Sequence, residues 1–475
     1  MGLTPIFDLA TRALRAQNLV LQTAGQNLAN ASRPSYSRQR VVLAADPPQS
    51  LSGIVVGSGV RVQEVQQVVN TLTETQLLQA RSRSAGEIAA RDELSQLETV
   101  LGELGGGGLQ ETLDSFFAAA DDLALHPQGI PERTIFLATA ETLAARFQDR
   151  ATQLAELQRQ IDERVAAAVP EVNGLLDDIA TLNGEIFRAE VGGQNANDLR
   201  DQRREALGQL SDLIGITQFE SNGQVTVVGP DGLPLVDRDR ATHVVADKAT
   251  QPTLTGLDGR ALTRLGFEVS NGDFVGFSST IGGGELGGLL AVRDTDIPSI
   301  AASLDQLAEA LRTAVNAVHT NGEDLDGNAG GSLFDGTTAS TLRVLITDPR
   351  EVAASLGTST PEDNQNARAL AALQYTALDG TDAALGNADL DGSNFVGFLS
   401  SMIGTVGALS QTAQDRAEAA EAVTTEIQNR RAALSGVNTN EELLTLLDAQ
   451  RAFQAAAILV NTATSALDAV LAMVD

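Results

Sequence analysis

The chain has 475 residues, more than one core commonly organises, since a single hydrophobic core stops growing at ~250–300 residues. At ~100–200 residues per domain, about three domains are expected. Lys and Arg number 32 against 62 Asp and Glu, a formal charge of −30, which argues against nucleic-acid phosphates and anionic membrane surfaces as partners. Cys is absent, so disulfides, thiolate metal sites and Cys nucleophiles are excluded. Apolar residues make up 43% but aromatics only 3%, which suits slim helices of Ala, Leu and Val packed without large rings.

The N-terminal stretch from Thr4 to Asn30 carries a heptad: Phe7, Leu14, Leu21 and Leu28, with Ala10, Gln17, Ala24 and Ala31 at the offset position. Val60–Gln110 and Leu113–Ile214 follow as mostly long helical patterns, broken at Gly105–Gly108 and His126–Pro131. From Ile216 to about Ile281 the period becomes two. Val225–Val228 and Leu233–Val236 flank the turn Gly229-Pro230-Asp231-Gly232, and Leu265–Ser270 and Asp273–Phe277 flank Asn271-Gly272, a strong hairpin signal. Helical patterning resumes at Ile297–His319, gives way to a Gly/Asp-rich stretch and a short strand at Leu342–Ile346, then returns at Asn364–Leu378 and Phe395–Leu434. The last segment repeats the opening heptad: Leu446, Phe453, Val460, Leu467 and Val474, offset by Ala449, Ala456, Ala463 and Val470.

These patterns predict a mainly α fold with an inserted β domain, elongated and nested. The terminal helices, 1–50 with 436–475, form an antiparallel coiled coil; 51–215 with 290–435 form a long helical-bundle domain; 216–289 form a small β module that projects into solvent. Much of the seam is Ala, which contributes little on burial, so the terminal pair needs neighbours.

Motifs that resemble chemistry fall short of it. Gly282–Gly287 matches G-x-G-x-x-G but lacks the second strand of a dinucleotide unit, and is expected to be a flexible strand-to-helix junction. Asp324, Asp326, Asn328, Gly330, Ser332 and Asp335 occupy calcium-loop positions, yet the turn Gly is Ala329 and the bidentate Glu is Asp335. His319, in a last helical turn, is explained by the helix dipole. No catalytic residues, metal or cofactor are assigned. No run of ~18 apolar residues predicts a membrane span, and no cleavable signal is present, so these rules alone would leave the chain in the cytoplasm.

Asn27-Leu28-Ala29-Asn30 with Tyr36-Ser37-Arg38-Gln39 resembles the N-terminal signature of the bacterial flagellar axial proteins, and Ser435-Gly436-Val437-Asn438 with Glu441-Glu442 and Gln450 resembles their C-terminal signature. Leu182-Asn183, Ala196-Asn197-Asp198-Leu199 and Asp201-Gln202-Arg203 resemble one branch, the flagellar hook-associated protein 1 family, as do Gly284–Leu290 and Asp324–Gly327. The resemblance implies a structural protein without an active site. It implies export unfolded through the flagellar type III apparatus and location at the hook–filament junction. It implies a ring of identical subunits, contacts with hook protein and a second junction protein, and an export chaperone at the C-terminal region, with no nucleic acid and no membrane insertion. Hook or distal-rod proteins share the end signatures but have β-dominated interiors. Two departures stand out: Ser35 replaces the family Gly before Tyr36, and one β insertion is evident where many relatives have two.

Overall fold

The computed structural model describes residues 4–51, 54–102, 108–193, 195–249, 254–268, 272–277, 281–357 and 363–472. It is 64% helical. The chain leaves along α1 (Thr4–Ala29) and makes a β ribbon from β1 (Gln39–Ala45), β2 (Gln49–Leu51), β3 (Ile54–Val56) and β4 (Val60–Gln67). Then come α2 (Thr71–Leu101), α3 (Leu109–Leu125), α4 (Ile130–Val191) and α5 (Asn197–Leu213). The inserted module holds β5 (Thr217–Ser221), β6 (Gln224–Val228), β7 (Pro234–Asp237), β8 (Arg240–Ala241), β9 (Val245–Asp247), β10 (Arg264–Glu268) and β11 (Phe274–Gly276). The return path is α6 (Gly284–Ala291), α7 (Ile297–Thr320), β12 (Phe334–Asp335), β13 (Arg343–Val344), α8 (Gln365–Ala372), β14 (Leu378–Asp379), β15 (Asp389–Ser393), α9 (Phe395–Ser435) and α10 (Thr439–Leu471).

Local chemistry sets the helix starts. Asn70 caps α2 by accepting from the Thr73 amide at 3.1 Å, and Asn394 caps α9 by accepting from the Gly397 amide at 2.8 Å. The 62 residues of α4 span ~93 Å at ~1.5 Å per residue and form the spine of the body. α2 lies against α9 and α6, and α3 against α4 and α8. Few aromatics does not mean a core without rings. Phe116 sits 5.2, 5.1 and 5.9 Å from Phe117, Phe136 and Phe334, and Phe117 sits 5.6 Å from Phe395, gathering scarce rings where α3, α4 and α9 converge.

Three readings of the sequence are corrected. Val60–Gln67 is a strand, pairing antiparallel with β1 from Gln39↔Gln67 to Ala45↔Val60. Its alternating Val-Arg-Val-Gln after Gly59 (φ +87°) is a period-two signal hidden at the head of a helical stretch. Both long strands pack on α1, and the expected division at residue 50 falls inside the ribbon. Second, the β module does not project into solvent. Its sheets, ordered β5-β6-β7-β8 and β11-β10-β9, lie along α4, and Val225, Val227, Val236 and Leu265 join one continuous core with the helices. Third, by length and apolar content one helical stretch within Phe395–Ala469 suffices to cross a membrane, although little of it is buried. In α10, Thr445, Asp448, Gln450, Arg451 and Gln454 break the run without lowering the average enough.

The module enters and leaves through one glycine joint. Gly215 N donates to Gly283 O at 3.1 Å, and a Cβ on Gly215 would stand 1.6 Å from Gly282 O. α6 crosses α2 backbone against backbone: a Cβ on Gly288 would meet Gly86 O at 2.1 Å. Within the Gly282–Gly287 motif, a Cβ on Gly284 would stand 2.4 Å from Ile214 N and one on Gly287 2.6 Å from Ile281 O, so these glycines serve close packing and Gly282 does not. Gly288→Ala should cost about 1–3 kcal/mol in chemical denaturation through overpacking, whereas Gly282→Ala, with nothing within 4 Å of its Cβ, should stay within about 0.5 kcal/mol. Equal losses would contradict this reading.

Candidate functional site

The residues that carry the sequence signatures meet at one polar hub. Asn27, near the end of α1, is 1% exposed, and all four of its amide valences are used. Its Nδ2 donates to Gln39 O (2.8 Å) and Glu442 Oε2 (3.1 Å), while its Oδ1 accepts from Gln39 N (3.0 Å) and the Tyr36 hydroxyl (2.9 Å). One side chain thus joins α1, the turn after it, β1 and the first turn of α10. Arg38 reinforces the joint: its backbone N donates to Ser435 O (2.8 Å), Nη1 to Glu441 Oε2 (3.0 Å), and Nε lies 2.7 Å from Glu442 Oε1.

The start of α5 closes the hub from the body. Asn197 Nδ2 donates to Val65 O (2.8 Å) and Gln39 Oε1 (3.3 Å), and Gln67 Nε2 returns a bond to Asn197 O (2.7 Å). Gln39 and Gln26 donate to Asp198 Oδ1 at 3.2 and 3.3 Å. Arg204 reaches Ser37 Oγ (3.0 Å), Gln67 Oε1 (3.3 Å) and Asp201. Burial pushes the Asp201 carboxyl above its usual range, against the pull of Arg204. Burial, then the charges of Asp201, Asp198 and Glu442, hold the Tyr36 phenol protonated far past its ordinary range.

Arg203 and Asn183 form a second node, binding the β module. Arg203, nearly fully buried, donates to Asn183 Oδ1 (2.8 Å), Gly223 O (2.7 Å) and Glu220 Oε1 (2.8 Å). Asn183 donates to Val225 O and Arg238 O, both at 2.7 Å, and accepts from Val225 N at 3.0 Å. Burial lowers the Arg203 pKa, opposed by Glu220.

Other signature residues have local roles. Asn30 donates to Gln26 O (3.0 Å), Gly436 ends α9 through a bond to Ala432 O (2.9 Å), and Asn438 accepts from the Asn440 amide (3.1 Å) at the start of α10. Gln202 is exposed and stands outside both nodes. Ser35 does not adopt positive φ; its hydroxyl donates to Glu205 Oε2 (3.1 Å), so this turn runs without glycine. Sequence reasoning missed Gln26, Gln67 and Arg204. Gln67 lay in the stretch misread as helix, and Arg204 directly follows the quoted motif.

Along α1 and α10 the fully buried seam is the small set: Ala10, Ala24, Ala449, Ala456 and Ala463. Phe7, Leu14, Leu21 and Leu28 are half-buried, as are Leu446, Phe453 and Val460; Leu467 is exposed, and Val474 lies outside the described residues. α10 presents Leu443, Leu444, Leu447, Ile458 and Leu459 outward. The Asp324 loop satisfies itself instead of a cation: Asp324 Oδ1 accepts from the Asp326 and Asn328 amides, both 2.8 Å, and Asp326 pairs with Arg350. Among the described residues no group of three or more His, Asp or Glu is placed to hold a metal.

Asn27→Ala would strand the Gln39 amide and remove the donor to Glu442 Oε2, leaving that carboxylate to Arg38 alone, at roughly 1–3 kcal/mol per orphaned buried group. Limited proteolysis should then cut within residues 30–39 and 435–439 well before the body; Gln202→Ala should leave the pattern unchanged. An unaltered digest of Asn27→Ala would contradict the hub.

Comparison with known proteins agrees with this architecture. The profile described as the flagellar hook-associated protein FlgK helical domain matches residues 94–334, just over half the chain, and that of the flagellar basal body rod FlgEFG protein C-terminal region matches 431–473. Flagellar hook-associated protein 1 of Bacillus subtilis is 26% identical over 510 aligned positions, covering 98% of this chain and 97% of its own. The protein of that name from Salmonella typhimurium is 28% identical over 336 residues, covering 70% of this chain but only 59% of its own length. The structure of the flagellar hook junction protein FlgK from Burkholderia pseudomallei superposes with a TM-score of 0.66 at 15% identity, over 76% of this chain and 100% of that one, a likeness of fold. The chain belongs to the FlgK family of flagellar hook-associated proteins.

Proposed function

We propose that the chain is a structural subunit of the bacterial flagellum, forming with identical copies the ring at the hook–filament junction on which the filament assembles. The outward apolar face of α10 carries this reading. Leu444 and Ile458 are 63% and 65% exposed on a helix whose opposite side is already packed on α1. A pair closed through alanines leaves its larger residues for neighbours, and lateral burial then completes the core. The same face accounts for the apolar content that would otherwise suggest a membrane helix. In this reading 1–67 with 436–475 lines the channel side of the ring, and the helical body with its β module forms the outer wall.

Export through the flagellar type III apparatus, hook protein on one side, a second junction protein on the other and an export chaperone at the C-terminal region belong to the same proposal. The role is structural, with no chemistry assigned to any residue. A hook or distal-rod role shares the chain ends, but a 64% helical chain with a long helical body supports the hook-associated branch.

In the source bacterium, deletion should leave hooks without filaments, and a tagged chain should label at the hook–filament boundary. Label along the whole filament, or normal filaments in the deletion, would contradict the proposal. Ile458→Glu with Leu444→Glu should leave the melting of the purified chain unchanged and abolish incorporation, since both side chains already meet water. Wild-type motility in that double variant would remove the α10 face from the account.

A further inference from the structure

Beyond the assembly surfaces, the far end of the helical body holds a buried pair of basic side chains, His319 and Arg133, with no carboxylate hydrogen-bonded to either, although the Asp324 charge acts on Arg133. His319, at the end of α7, is 0% exposed. Its Nδ1 meets Gly331 O at 2.7 Å, and its Nε2 accepts from the Ala353 amide at 2.9 Å. Those two bonds fix the tautomer: hydrogen on Nδ1, a lone pair on Nε2, no net charge. The ring therefore adds a side-chain bridge between two stretches of irregular backbone, 321–331 and 349–357, which also meet through Glu323 N to Ser355 O (2.8 Å) and Leu325 N to Arg350 O (3.0 Å). Next to it Arg133, 3% exposed, donates to the carbonyls of Pro127 (2.8 Å), Pro349 (3.4 Å) and Val352.

We propose that His319 is an acid-sensitive pin, which holds the layer 321–357 on the end of the body while neutral and releases it when protonated. Protonation would destroy the lone pair that takes the Ala353 amide and place a second cation beside Arg133 in a dry site. The charged groups on the surrounding elements are Arg133 and Glu132 on α4; Glu323, Asp324 and Asp326 on the first stretch; Arg350 and Glu351 on the second; and Asp363 before α8. Asp324 is occupied by its own loop, Asp326 by Arg350, and Asp363 by the Leu356 amide at 2.8 Å. Arg133 is the charge that acts on the ring, and it opposes protonation. The layer covers apolar side chains that the pin keeps from water: Leu333, Phe334, Leu342 and Val352, with Phe334 against Phe116.

Burial, with Arg133 adding to it, lowers the His319 pKa from 6.5 to about 4. The opened layer regains the ordinary value. Between the two pH values the open form binds one more proton, so opening becomes easier as pH falls and is insensitive to this group above 6.5. The opening constant should rise about tenfold per pH unit, about 300-fold across the window.

Hydrogen exchange on the full chain from pH 7 to pH 4, corrected for intrinsic rates, tests this. Peptides covering 321–357 should lose protection with that slope while α4 and α9 hold theirs, and His319→Gln should flatten the slope. Constant protection down to pH 4.5, or the same slope in His319→Gln, would overturn the proposal. If His319→Gln does not fold, imidazole carbon shifts of the wild-type chain decide: titration near 4 supports the pin, and titration near 6.5 overturns it.

Discussion

The arrangement depends on one buried amide. Asn27 saturates both its donors and both its acceptors, and its four partners lie on the first turn of α10, the turn after α1 and the entry to β1. An amide suits this position because it bonds in four directions without bringing a charge out of water. The charges that do enter, Arg38 against Glu441 and Glu442 and Arg204 against Asp201, stand around it and are held by hydrogen bonds. The two chain ends, with Asn27 and Glu442 separated by 415 positions, are thereby joined by polar bonds as well as by the apolar seam.

From that hub the molecule extends in two directions with different physics. Outward, α1 and α10 approach through alanines, so their contact is close and thin, and it returns little on burial. Inward, the body is held by a continuous core along α4, by clustered Phe rings and by glycines that let α2 and α6 meet backbone to backbone. The β module enters this core along α4 through Asn173, Asn183 and Asp162, side chains that bond the backbone of Val225 in β6 and of Val244 and Thr263, which lead into β9 and β10. In the proposed role, a subunit exported as a chain and assembled outside calls for a body that holds together by itself and ends that gain from neighbours.

Much of this was legible in the sequence, for identifiable reasons. Helices with a 3.6 period and hairpins marked by Gly229–Gly232 and Asn271-Gly272 declare themselves locally, and β6 pairs with β7, and β10 with β11, as those turns suggest. β4 was lost because its short alternation adjoins a long helix without a strong turn between them. The motif residues were visible as words, but their meeting was not. Nothing within Asn197-Asp198 states that it faces Gln39, 158 positions earlier. His319 looked like a helix-end cation and is instead a buried neutral acceptor, because its partners come from loops whose path no period encodes.

Whether the hub or the seam anchors the ends is decided by hydrogen exchange along α10 in the purified unassembled chain. Beyond the hub, ordering each residue costs ~1–2 kcal/mol against thin alanine burial. A gradient is expected: slow exchange across residues 441–450, next to Asn27 and Arg38, falling to fast exchange across 458–469. Uniformly slow exchange to residue 469 would show a preformed coiled coil that is stable without neighbours, and would contradict it.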